Sequence, residues 1–133
     1  MTRAKGDFDV KLVPLGTDDK AEDATVSGMS LTKQLHGDLE GTGKGQMLTA
    51  STDVQGSAVY VAIERITGTL HGRSGSFLLH HTGVMTRGAP HLTISVVPDS
   101  GTGQLAGITG QMGIAIADGK HSYDFEYTLE SSR

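Results

Sequence analysis

Apolar side chains recur at every second position along most of this chain, and almost nowhere at the spacing a helix face requires. A period of two sends successive side chains to opposite sides of a strand, so the pattern builds sheet with one apolar face. The 19 glycines lie between and within these runs, not in one low-complexity tract, and mark turns, bulges and strand bends.

The first run is Phe8-Asp9-Val10-Lys11-Leu12, ended by Pro14 and an acidic stretch that reads as a flexible, solvated loop over residues 16–24. A second run sets Met29, Leu31, Leu35 and Leu39 on one parity against Ser30, Thr32, Gln34, His36, Asp38 and Glu40 on the other. Gly37, Gly41, Gly43 and Gly45 then predict a bent or bulged strand running on into Met47-Leu48-Thr49-Ala50. Val59–Leu70 and Ser76–Thr86 form the clearest hairpin. With Arg73-Ser74 as a two-residue loop, Gly72 faces Gly75, Leu70 faces Phe77, Ile66 faces His81, Glu64 faces Gly83, Ala62 faces Met85 and Tyr60 faces Arg87. A one-residue change in loop length would reverse these faces. Leu92–Val97 follows, and a last hairpin turns at Asp118-Gly119, a type I′ signal. It sets Ile108, Met112, Ile114 and Ile116 with His121, Tyr123, Phe125, Tyr127 and Leu129 on one face.

Seven or eight such strands in 133 residues predict an all-β, single-domain chain: an antiparallel barrel of about eight strands, or a sandwich. The chain has no cysteine, which removes disulfides, thiolate metal sites and cysteine nucleophiles and suits the cytoplasm. The N-terminus carries basic residues with no apolar stretch behind them, and no apolar run approaches the roughly 20 residues that span a bilayer. A net charge of −4 with mixed signs argues against nucleic acid and anionic membrane as partners.

The run Tyr60-Val61-Ala62-Ile63-Glu64-Arg65-Ile66-Thr67-Gly68-Thr69-Leu70 resembles a bacterial family of unknown function numbered 3224. So do Gly72-Arg73-Ser74-Gly75-Ser76-Phe77, His81, the segment Val97–Gly107 and His36-Gly37-Asp38-Leu39-Glu40-Gly41. The resemblance implies an eight-stranded barrel similar to those of plant allene oxide cyclases and dirigent proteins. It further implies an apolar small molecule in the lumen, chemistry without a cofactor, and oligomers. No catalytic motif of the plant enzymes aligns, so no role is carried over residue by residue.

Glu64 is the candidate catalytic residue. In the register above it shares a face with Tyr60, Phe77, His81, Met85 and Arg87, the candidate ligand-binding residues. Gly83 opposite it leaves space, and His81 lies on the diagonal. Burial would raise the carboxyl's pKa and Arg87 would lower it, giving either a general base or a Glu–Arg pair closing a filled barrel. No metal is expected: His80 and His81 point to opposite faces, and the other histidines lack ligand spacing. Gly41-Thr42-Gly43-Lys44-Gly45 has Asp38 and Gly45 where a phosphate loop needs glycine and a hydroxyl. Gly101-Thr102-Gly103-Gln104-Leu105-Ala106 matches a dinucleotide fingerprint but opens no helix, so both read as turns.

Three functions compete: a barrel binding an apolar or amphipathic small molecule, a cofactor-independent cyclase or isomerase acting on one, and a filled structural barrel. Val59, Val61, Ile63, Leu78 and Val84 face away from Glu64, so a homo-oligomer is expected to cover them.

Overall fold

The computed structural model describes residues 1–16 and 18–129. Its strands are β1 (Thr2–Pro14), β2 (Asp19–Lys20), β3 (Ala24–Gly37), β4 (Leu39–Thr52), β5 (Ala58–Leu70), β6 (Arg73–Thr86), β7 (Ala89–Val96), β8 (Ile108–Ala117) and β9 (Lys120–Leu129). The sheet runs β1-β9-β8-β7-β6-β5-β4-β3-β2, and β1 also pairs with β3, so eight strands close a barrel that leaves β2 outside. Every pairing is antiparallel. The segment read as loop 16–24 contains β2, which pairs Asp19 with Val26 and Lys20 with Thr25; Thr17 falls outside the described residues.

Three hairpins share one turn chemistry. His71-Gly72 (φ 46° and 83°), Arg87-Gly88 (46° and 90°) and Asp118-Gly119 (54° and 76°) each hold two residues in the left-handed region. That is the type I′ geometry whose twist matches antiparallel strands, with glycine second. The last hairpin has the expected register, with Ile116 facing His121, Ile114 facing Tyr123 and Met112 facing Phe125.

The β5–β6 register differs from the expectation. Leu70 faces Arg73 because the turn is His71-Gly72, not Arg73-Ser74. Only the former places a glycine at a left-handed position, and histidine tolerates that region better than most residues. Glu64 therefore faces Leu79, Tyr60 faces Gly83 and Ile66 faces Phe77. The slip is an even number of residues, so each side chain keeps its face while its partner changes.

One end of the barrel is packed shut. Phe77 stacks on Phe125 and Phe125 on Tyr127, with centroids 5.6 and 5.4 Å apart, among buried Leu35, Leu39, Leu70 and Ile108. At this end β7 does not reach the lower half of β6. The 97–105 segment, with one 3-10 turn at Gly103–Leu105, covers that edge instead. Side-chain oxygens of Ser100, Thr102 and Gln104 accept the amides of Leu78, Ser76 and Ser74 at 3.0, 3.1 and 2.8 Å. The apparent dinucleotide fingerprint is thus an edge cover. Gly101 is required there because a Cβ would lie 2.0 Å from the Leu105 carbonyl oxygen.

The opposite end stays open. Leu12, Met85, Leu92 and Ile116 remain between 42% and 66% exposed around its mouth. Outside the barrel, Val59, Val61 and Ile63 of β5 are 38%, 46% and 53% exposed.

Candidate functional site

Even-numbered residues of β5 point into the barrel, so Tyr60, Ala62, Glu64 and Ile66 descend from mouth to packed core. Glu64 is wholly buried at the boundary between the two. Its Oε1 accepts a hydrogen bond from His81 Nε2 at 2.8 Å and an ion-paired one from Lys33 Nζ at 3.2 Å. Tyr60 Oη lies 3.3 Å from His81 Nδ1, one step nearer the mouth. Glu64 Oε2 is buried with no hydrogen-bond partner among the described residues. The four side chains make one polar chain, Lys33–Glu64–His81–Tyr60, drawn from β3, β5 and β6.

Glycines shape this chain. Gly43 of β4 faces both Lys33 and Ile66, and a Cβ there would lie 2.4 Å from Glu64 Oε2. Gly83 faces Tyr60, and a Cβ there would fall 2.3 Å from the Tyr60 ring, so the ring occupies the space the glycine leaves. The space beside Glu64 therefore comes from Gly43, whereas the sequence pointed to Gly83.

Burial pushes the Glu64 carboxyl upward more than any other single influence. Working against it are the hydrogen bond from His81, the charge of Lys33 and the hydrogen bond from Lys33, and the carboxyl is held below its ordinary value. Tyr60 moves up, first through burial and then through the charge of Glu64, so its hydroxyl keeps its proton. The Lys33 ammonium also sits 4.8 Å from the Phe8 ring centroid, which offsets part of its desolvation.

Of the residues singled out in the sequence, Tyr60, Glu64 and His81 come together. Phe77 lies below them in the packed core, stacked on Phe125. Met85 is at the mouth. Arg87 does not join them: it occupies the left-handed first position of the β6–β7 turn, exposed, where its amide donates to Ser57 Oγ. The expected Glu64–Arg87 pair is replaced by Glu64–Lys33. Sequence reasoning missed Lys33, although it stands at the inward parity between Leu31 and Leu35, an isolated cation in an apolar row.

Above the polar chain the lumen opens into a cavity of about 370 Å³ lined by Met47, Thr49, Tyr60, Gly83, Met85 and Leu92. Tyr60 belongs to both the cavity wall and the polar chain. Among the described residues, no three histidine, aspartate or glutamate side chains are grouped to hold a metal ion. None of their helices is long and apolar enough to cross a membrane.

The model of the family described as "Protein of unknown function (DUF3224)" matches residues 4–127. The chain belongs to this family. A crystal structure of a DUF3224 protein of unknown function from Shewanella oneidensis MR-1 is 45% identical to it, covering 98% of this chain and 99% of that one, with a TM-score of 0.93. No curated protein matches the chain.

Proposed function

We propose that this protein binds an apolar or amphipathic small molecule in the open end of its barrel. The cavity of about 370 Å³ carries the reading: its walls are mostly apolar, with a few polar side chains such as Thr49, and Tyr60 meets it from the polar chain below. Ligand sites are typically concave and apolar, with a few placed polar groups. The packed lower half narrows the structural-barrel reading to that half and leaves the upper half for a guest. Native mass spectrometry of freshly purified protein, with displacement of a neutral dye such as Nile red, tests it. Thr49→Trp, which fills the lumen, should abolish dye uptake with the fold intact; unchanged uptake would place the dye elsewhere and remove the support.

The second reading is a cofactor-independent cyclase or isomerase, by likeness to allene oxide cyclase-like barrels. The continuous Glu64–His81–Tyr60 hydrogen bonding favours it, since it couples a carboxylate through an imidazole to a phenol at the cavity wall. Tyr60 is then the group that meets substrate and Glu64 positions His81. Glu64→Gln should abolish turnover of any substrate found while sparing binding.

Self-association is the third element of the proposal. Val59, Val61 and Ile63 form an outward apolar stripe continuous with Leu48 of β4 and Val84 of β6, to which they are laddered. A patch of this kind on neighbouring strands is covered most simply by a second copy across a two-fold axis.

A further inference from the structure

We infer that the lumen selects neutral molecules that bring a hydrogen-bond donor, an alcohol or phenol on an apolar body, over isosteric acceptors and over carboxylates. The inference rests on the binding reading above and names the ligand class for the same site.

The argument follows proton positions along the polar chain. Lys33 can only donate, and its ammonium lies 3.2 Å from Glu64 Oε1, which keeps the carboxylate charged. A charged carboxylate can only accept, so His81 Nε2, 2.8 Å from the same oxygen, carries a proton. In its neutral form His81 has one N–H, the one on Nε2, which leaves a lone pair on Nδ1. Tyr60 Oη, 3.3 Å from Nδ1, therefore gives its only proton to His81. What Tyr60 presents to the cavity is then a lone pair, so a ligand that hydrogen-bonds to Tyr60 must bring the proton.

Two further features point the same way. Glu64 Oε2, buried and without a hydrogen-bond partner among the described residues, adds a further acceptor and no donor to the polar chain below the cavity. The one cation of the chain, Lys33, is already paired with Glu64, with its side chain 5% exposed. A ligand carboxylate would meet the Tyr60 lone pair while the ammonium of the polar chain is already engaged by Glu64, and burying an unpaired charge is costly.

The test compares n-octanol with its isomer n-heptyl methyl ether, which has the same atoms but no donor, and with octanoate. Calorimetry at a pH where imidazole is neutral reads the three affinities. The alcohol should bind about five- to ten-fold tighter than the ether, the value of one net hydrogen bond, and tighter than octanoate. Tyr60→Phe should bring alcohol and ether to equal affinity while ether binding persists. Equal affinities in the wild type, or a preference for ether or octanoate, would overturn the inference and leave the binding reading standing. Failure of all three to bind, with Nile red also excluded, would instead remove the binding reading on which it rests.

Discussion

At the residue scale, the energetics centre on a carboxylate and an ammonium taken out of water together. Removing one partner strands the other, so Glu64→Gln should destabilise the fold by about 3–5 kcal/mol, read by urea denaturation. The double change Lys33→Met with Glu64→Leu should recover most of that loss, because it removes both charges. A pH dependence follows with a definite sign. Glu64 is held below its ordinary value of 4.5, so its contribution is whole above the unfolded pKa and is lost as pH falls through the lower folded one. The stability gap between wild type and Glu64→Gln should therefore shrink on acidification through and below about pH 4.5, and stay flat at neutral pH. Glu64 on one face with His81 was legible in the sequence, given a two-residue turn between their strands; that this face is the lumen was not. The partner Lys33 was not, because β3 reaches β5 only through β4, and that adjacency with its glycine gap at Gly43 belongs to three strands at once.

At the scale of elements, glycine and hydroxyl side chains do work that apolar patterning does not report. Gly43→Ala should cost about 1–3 kcal/mol by forcing the Glu64 carboxylate aside, and should lower dye affinity if the chain to Tyr60 shifts with it. Ser100→Ala and Thr102→Val each leave a β6 amide without its acceptor, at Leu78 and Ser76, and each should lower the urea midpoint by the equivalent of about 1 kcal/mol. Turn chemistry explains both the success and the miss among the hairpins. Asp118-Gly119 is an unambiguous type I′ pair, whereas the stretch His71-Gly72-Arg73-Ser74-Gly75 offers two glycines and hence two centres for the turn. Local sequence left that choice open, and the ladder from Leu70–Arg73 to Ala58–Met85 decided it by pairing the whole length of β5.

At the scale of the molecule, closure removes the free edges an open sheet would expose. The weakest seam is between β7 and β8, where Ser95–Gln111 is the pairing among the described residues. Hydrogen exchange should accordingly open β7 before β5, which is paired along its full length on both sides. The outer stripe gives a second whole-molecule prediction: Ile63→Glu should leave the thermal transition nearly unchanged but shift light-scattering mass to the monomer. An unchanged mass would show that this stripe is not where copies meet.

The amino-acid sequence alone determined the class of structure and the two faces of each strand, but not which face of the β5–β6 hairpin lines the lumen. Period-two alternation fixes which side chains of one strand share a face, so Tyr60 and Glu64 go together, and a two-residue turn of either choice adds His81 to them. Only the tertiary structure decided which cation answers the buried carboxylate, which end of the barrel is packed and which open, and that the Ser100–Gln104 segment covers a strand edge. Each of these depends on contacts between strands that are not neighbours in sequence, or on the shear with which the barrel closes, and neither is written in the period of any single strand.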